Sequence, residues 1–123
     1  MILVDTSVWI DHLRRSNSSL TELLNGGQVL AHPFVIGEIA LGNLKQRNVV
    51  LDAMQSLPRA NTASDDEVFH YITKNKLFGV GIGYIDSHLL ASVQLTPNSS
   101  LWTQDKRLSA AGKKLGLLTN LAH

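Results

Sequence analysis

The chain has 123 residues, 44% of them apolar and 17% charged, with three prolines and a net charge of +1. That profile fits one ordinary globular domain over residues 1–123 and excludes a disordered chain. There is no cysteine, which excludes a disulfide framework and thiolate chemistry. The opening apolar run is shorter than the roughly 7 to 15 residues of a secretory signal, and no uncharged stretch approaches the roughly 18 residues that span a bilayer. The expectation is a cytoplasmic protein without a membrane partner.

"MILVD" predicts a short buried strand, because a continuous apolar run that ends abruptly in a polar residue fits a parallel strand covered on both faces. "SVWIDHLRR" predicts a helix in which Val8, Trp9, Ile10 and Leu13 cover an arc wider than the roughly 100° stripe that packing on one sheet requires. "SLTELLNGG" predicts a second helix, N-capped by Ser18 or Ser19 and ended at Gly26-Gly27. "QVLA" predicts a second strand, and "HPFVIGEIALGNL" a helix with Pro33 near its first position. "RNVVLDAMQSL" gives a fourth helix and "ASDDEVFHYITKNKL" a fifth, whose Asp65, Asp66 and Glu67 complement the helix dipole. "GYIDSHLLASVQL" gives a sixth, ended by the "TPNSS" turn; "SLWT" is a strand, "DKRLSAAGKKLG" a helix and "LLT" a last short strand. Short strands alternating with helices imply an α/β fold around a parallel sheet with helices on both faces.

In such a sheet, ligands bind beyond the carboxyl ends of the strands. Asp5 ends the first strand and Asp105 follows "SLWT", so both project from that edge, and each could also serve as an N-cap. Glu38 borders the apolar face of its helix, and no basic residue lies between Arg15 and Lys45. A carboxylate so placed needs a metal or a distant arginine to compensate it. Asp86 opens a helix after "FGVGIGYI", whose glycines bend the backbone. They do not form the G-x-G-x-x-G dinucleotide fingerprint, because Tyr84 stands in the place of the third glycine. Four converging carboxylates would repel one another, and bound divalent ions reverse that logic. Oxygen-only ligands select Mg²⁺ or Mn²⁺; the five histidines form no H-x-x-x-H pair that would suggest zinc, and His88 is expected to be a core or surface histidine and not a ligand. Setting these four acids apart leaves six against eleven Lys and Arg, a surplus of five positive charges on the remaining surface. Such a surround suits an enzyme acting on a polyanion.

The segments "MILVDTSVWIDHLR", "HPFVIGEIALG", "GIGYIDSHLLAS" and "LWTQDKRL", in this order, resemble PIN-domain ribonucleases of the VapC toxin type through nearly the whole chain. The resemblance implies a three-layer α/β/α PIN-like fold with a short-stranded parallel sheet, and a Mg²⁺- or Mn²⁺-dependent endoribonuclease. It implies Asp5, Asp86 and Asp105 as metal ligands, Glu38 as a ligand or as the group that orients water, and support from Thr6 or Ser7 and from Thr103. It further implies an RNA substrate, an inhibitory antitoxin and a homodimer. Lys106, Arg107, Lys113 and Lys114 offer an RNA-backbone path along the last helix, and the wide arc of Trp9, Ile10 and Leu13 offers an antitoxin surface unless a neighbouring helix covers it. Two alternatives are a non-catalytic PIN-like RNA- or protein-binding module, against which the intact acids argue, and a haloacid-dehalogenase-like phosphohydrolase. The latter chemistry needs a second aspartate where this chain has Ser7.

Overall fold

The computed structural model describes residues 1–120. The apolar opening run becomes β1 (Ile2–Val4), the middle strand of a three-stranded parallel sheet, with β2 (Val29–Leu30) on one side and β3 (Ser100–Trp102) on the other. Leu3 stands opposite Leu30 and Leu101, and Val4 opposite Trp102. A central parallel strand is covered on both faces, which is why Leu3 and Val4 are fully buried and follow each other without polar alternation.

From β1 the chain reaches β2 through α1 (Thr6–Arg15) and α2 (Ser18–Asn25). It then crosses to the other side of β1 through α3 (Pro33–Ala40), α4 (Arg47–Gln55), α5 (Asp65–Lys74) and α6 (Tyr84–Leu95) before forming β3, from which α7 (Lys106–Lys114) departs. The reversal of direction at β1 opens a crevice beyond the carboxyl ends of β1 and β3. Helix α1 packs on α3, α3 on α4, α5 on α6, and α6 on β3. Every residue from Ser87 to Val93 is buried, so α6 is enclosed around most of its circumference beyond its first turn.

Several boundaries differ from the expected ones for local reasons. Helix α2 is capped by Asn17, whose side-chain oxygen accepts the Leu20 N–H at 3.1 Å, so Ser18 and Ser19 lie inside the first turn. The left-handed residue that follows this helix is Gly27, at φ +67°. Of "QVLA", Ala31 pairs only through a single bridge to Arg59, next to Pro58, which has no N–H with which to extend a ladder. Of "LLT", only Leu118 pairs, with Leu101, after a left-handed turn at Gly116 (φ +72°). Ser64 and Glu67 form a reciprocal capping box on α5, at 3.2 and 2.9 Å.

Candidate active site

Asp5 follows β1 and occupies the N-cap position of α1, yet its side chain makes no capping bond. Its Oδ2 instead accepts hydrogen bonds from the hydroxyls of Ser7 and Thr103, both at 2.8 Å. The residue is 6% exposed. Ser7 Oγ also accepts the Gln104 N–H at 3.0 Å, and Thr103 Oγ1 the Asp105 N–H at 3.0 Å. Each hydroxyl has one proton, and both protons go to Asp5, so the 3.3 Å approach of Ser7 Oγ to Thr103 Oγ1 is a contact enforced by the shared acceptor. Two hydroxyls thus lock the ends of β1 and β3 onto one carboxylate.

Asp105 does cap its helix: Oδ1 accepts the N–H groups of Arg107 and Leu108, each at 2.9 Å. Asp86, in the first turn of α6, accepts the Gly83 N–H on Oδ2 at 3.0 Å. Glu38 accepts the Thr6 hydroxyl on Oε1 at 2.8 Å. Its side chain is exposed, contrary to the helical-wheel placement beside buried positions, although Thr6 at the start of α1 reaches it. A common pattern joins the four acids. Each has one oxygen fixed by a scaffold donor, and among the described residues the other has no hydrogen-bond partner, nor does any of the four pair with a lysine or arginine.

The uncompensated charge is visible at Asp86. Partial burial pushes its carboxyl above the ordinary carboxylate range, the Gly83 N–H pulls it back, and the charges of Asp5, Asp105 and Glu38 push it up further. The four carboxylates therefore share one electrostatic neighbourhood. Among the described residues, however, no three His, Cys, Asp or Glu groups stand close enough to enclose a metal ion, so a closed four-carboxylate cage is not present. The donor set is all oxygen and open. That fits Mg²⁺, which keeps several of its waters and takes one or two carboxylates directly.

A family profile described as "PIN domain" matches residues 2–114. The chain belongs to the PIN domain family. This PIN domain is also similar to the protein named Ribonuclease VapC32 from two Mycobacterium tuberculosis strains, CDC 1551 / Oshkosh and ATCC 25618 / H37Rv. In both cases the identity is 48% over 117 residues, covering 95% of this chain and 94% of the relative.

The remaining expected residues separate into groups. Lys106, Arg107, Lys113 and Lys114 are exposed on α7. Three of them, with Lys76, line a recess of about 280 Å³ that Lys113 does not reach. The Arg107 side chain lies over Gly81, where an added methyl group would come within 2.7 Å of it. On α1 the wide arc divides: Trp9 is 5% exposed and belongs to the core, which removes it from any free surface, while α1 packs on α3. Ile10 stays open and Leu13 half-buried, and both line a groove of about 420 Å³ with Arg14, Leu44 and Lys45.

One further cluster lies outside the expected residues. Asp65 Oδ1 accepts the Tyr84 hydroxyl at 2.9 Å and lies 3.2 Å from Nε2 of the buried His88, so this acid is tied to α6 besides opening α5. The spacing of Tyr84 and His88, one helical turn apart, is the only signal of it along the chain.

Proposed function

We propose that this PIN domain is a divalent-metal-dependent endoribonuclease, the toxin of a toxin–antitoxin pair acting in the cytoplasm. The observation that carries the proposal is the set of four carboxylates at one sheet edge, each with one oxygen anchored and one open, and none paired with a lysine or arginine among the described residues. Asp5, Asp86 and Asp105, with Glu38, would hold Mg²⁺ or Mn²⁺. When bound, such an ion supplies Lewis acidity that lowers the pKa of water and neutralises charge on a phosphodiester. Ser7 and Thr103 fix the orientation of Asp5 by donating to it. Thr6 holds Glu38 toward the site, where its open oxygen can accept a proton from an attacking water. Lys106 and Arg107 grip the RNA backbone without reading bases.

Incubation of the purified protein with total RNA tests this, with Mn²⁺ or with EDTA, comparing wild type with Asp5→Asn. Cleavage should require the metal and be lost in the variant; undiminished cutting in EDTA would sink the proposal. Control by an antitoxin fits the groove at Ile10 and Leu13. Changing Ile10 to aspartate should then abolish rescue by a co-expressed neighbouring reading frame while leaving cleavage intact. Homodimerisation is part of the same proposal and is measured by sedimentation.

A further inference from the structure

Beside the carboxylates runs a chain of five rings that the proposed catalysis does not use. His32 meets Phe34 at a centroid distance of 5.3 Å, Phe34 meets His88 at 4.7 Å, His88 meets Tyr84 at 4.8 Å and Tyr84 meets Phe69 at 6.5 Å, all edge to face. The histidines are buried, whereas Phe34 and Tyr84 are 38% and 45% exposed and Phe69 more so. His32, Phe34, Ser64, Asp65 and His88 line a recess of about 310 Å³. The rings connect directly to the acid site: Phe34 is one turn before Glu38 on α3, and Tyr84 is two residues before Asp86 on α6.

Beneath the recess lies an unpaired donor that its surface does not expose. His32 Nδ1 accepts the Phe34 N–H at 3.0 Å, which puts the proton of the neutral ring on Nε2. That Nε2 is buried and has no partner among the described residues, in a residue only 1% exposed. Burial, the nearby His88 and Arg59 hold His32 down to about 4, so the ring is neutral at physiological pH and Nε2 remains a donor. Asp65 lines the recess, and its Oδ2 is the oxygen that Tyr84 and His88 leave open. Its carboxylate, with Asp66 and Glu67 in the same turn, repels phosphate. The part of a ligand that fits here is flat, aromatic and uncharged, with a donor on its edge for Asp65 and its phosphates held outside the recess.

We propose that this recess receives an unpaired nucleobase of the RNA, from a nucleotide next to the phosphodiester that is cut. The base stacks on Phe34 at the recess, with the exposed Tyr84 ring beside it across His88, and turns its polar edge toward Asp65, in the way single-stranded RNA is commonly read. The inference rests on the ribonuclease proposal for the neighbouring acids and adds a specificity element to it.

A binding measurement separates the two. Single-stranded RNA oligomers carrying 2-aminopurine, one position per oligomer, are mixed with the protein in EDTA, where stacking quenches the fluorophore without cleavage. Wild type should quench at a restricted set of positions; Phe34→Leu and Tyr84→Leu should bind about tenfold more weakly and lose the quench. In Mn²⁺, the same variants should lose the cut-site preference that wild type has on random-sequence RNA. An RNA lacking the base at the preferred position should be cut equally by wild type and variants. Folded variants that quench and choose sites as wild type does overturn the inference, as does the absence of any quench by wild type. So does a variant that turns a dimer into a monomer with its site preference intact, since the rings would then belong to a second copy of the chain. Quenching without cleavage under any metal would sink the ribonuclease proposal and leave base binding standing.

Discussion

Replacing Thr103 by valine keeps the branched shape of the side chain and removes its hydroxyl, which isolates two hydrogen bonds. The hydroxyl donates to Asp5 Oδ2 at 2.8 Å and accepts the Asp105 N–H at 3.0 Å, at a buried position. A bond to a carboxylate contributes about 1.5 to 3 kcal/mol net, and an orphaned N–H that water can still approach costs about 1 kcal/mol, giving about 3 kcal/mol together. For 123 residues and an unfolding entropy of about 2.1 cal/mol/K per residue, each kcal/mol moves the melting midpoint by about 4 °C. Calorimetry of the metal-free protein should therefore find Thr103→Val lowered by about 12 °C. Thr103→Ser, which keeps the hydroxyl and loses one methyl at about 0.8 kcal/mol, should fall by only about 3 °C. Cleavage should follow the hydroxyl as well, because valine releases both Asp5 and Asp105 from their fixed positions: a loss of about tenfold or more in kcat/KM for valine and little for serine. A valine variant that melts no lower than the serine variant would refute the reasoning, since the hydroxyl would then hold nothing.

Asp86→Asn keeps an acceptor for the Gly83 N–H and removes a charge that burial and three neighbouring carboxylates disfavour. Because the folded protein holds the Asp86 proton to higher pH than the unfolded chain does, Asp86 lowers stability as pH rises from the ordinary carboxylate range through its raised one. The variant should lose that part of the pH dependence and melt at or above wild type at neutral pH without metal, while cleavage falls; a lower melting point at neutral pH contradicts this. Changing Lys106 and Arg107 together to glutamine should weaken binding to all RNA sequences and flatten its salt dependence, with cut sites unchanged; new cut sites with an unchanged salt slope would make these residues base readers. Gly81→Ala forces an alanine to φ +84° and a methyl against the Arg107 side chain. It should destabilise by about 1 kcal/mol or more, measured by urea unfolding, and partly displace Arg107 from its position.

The strand-to-helix order was legible because the chain signals it locally: an apolar run ending in Asp5, Pro33 at a helix start, Gly27 past a helix end. From that order alone, the sheet rule puts Asp5 and Asp105 at one edge. What was illegible depends on neighbours distant in sequence. A helical wheel ranks Trp9 and Glu38 by angle but does not say what covers each angle; Trp9 is buried in the core, while Glu38 is left exposed. Asp65 looked like a dipole partner because its link to Tyr84 and His88 spans 19 and 23 residues. The N-cap of α2 shifted to Asn17 because several adjacent polar residues could cap equally well by type, and only the backbone entry angle chooses among them.

Asp5 and Asp105 occupy equivalent N-cap positions at the ends of β1 and β3, and the scaffold treats them differently. Asp105 satisfies its helix directly, while Asp5 leaves the α1 cap unmade and turns to hydroxyls from the segments after β1 and β3. A carboxylate retained only for folding would take the capping bonds open to it. At Asp5 the hydrogen bonds run the other way, from Ser7 and Thr103 toward the acid, which holds a charge in place without neutralising it. Like charges assembled this way oppose folding, so the hydroxyl bonds and the buried body of α6 must offset their repulsion. Stability and activity should therefore respond in opposite senses at the charges and in the same sense at their supports: Asp86→Asn raises or preserves the melting point and loses cleavage, while Thr103→Val loses both. A purely structural role for the acids requires both substitutions to destabilise, so the sign at Asp86, set beside the sign at Thr103, decides between a scaffold and a site.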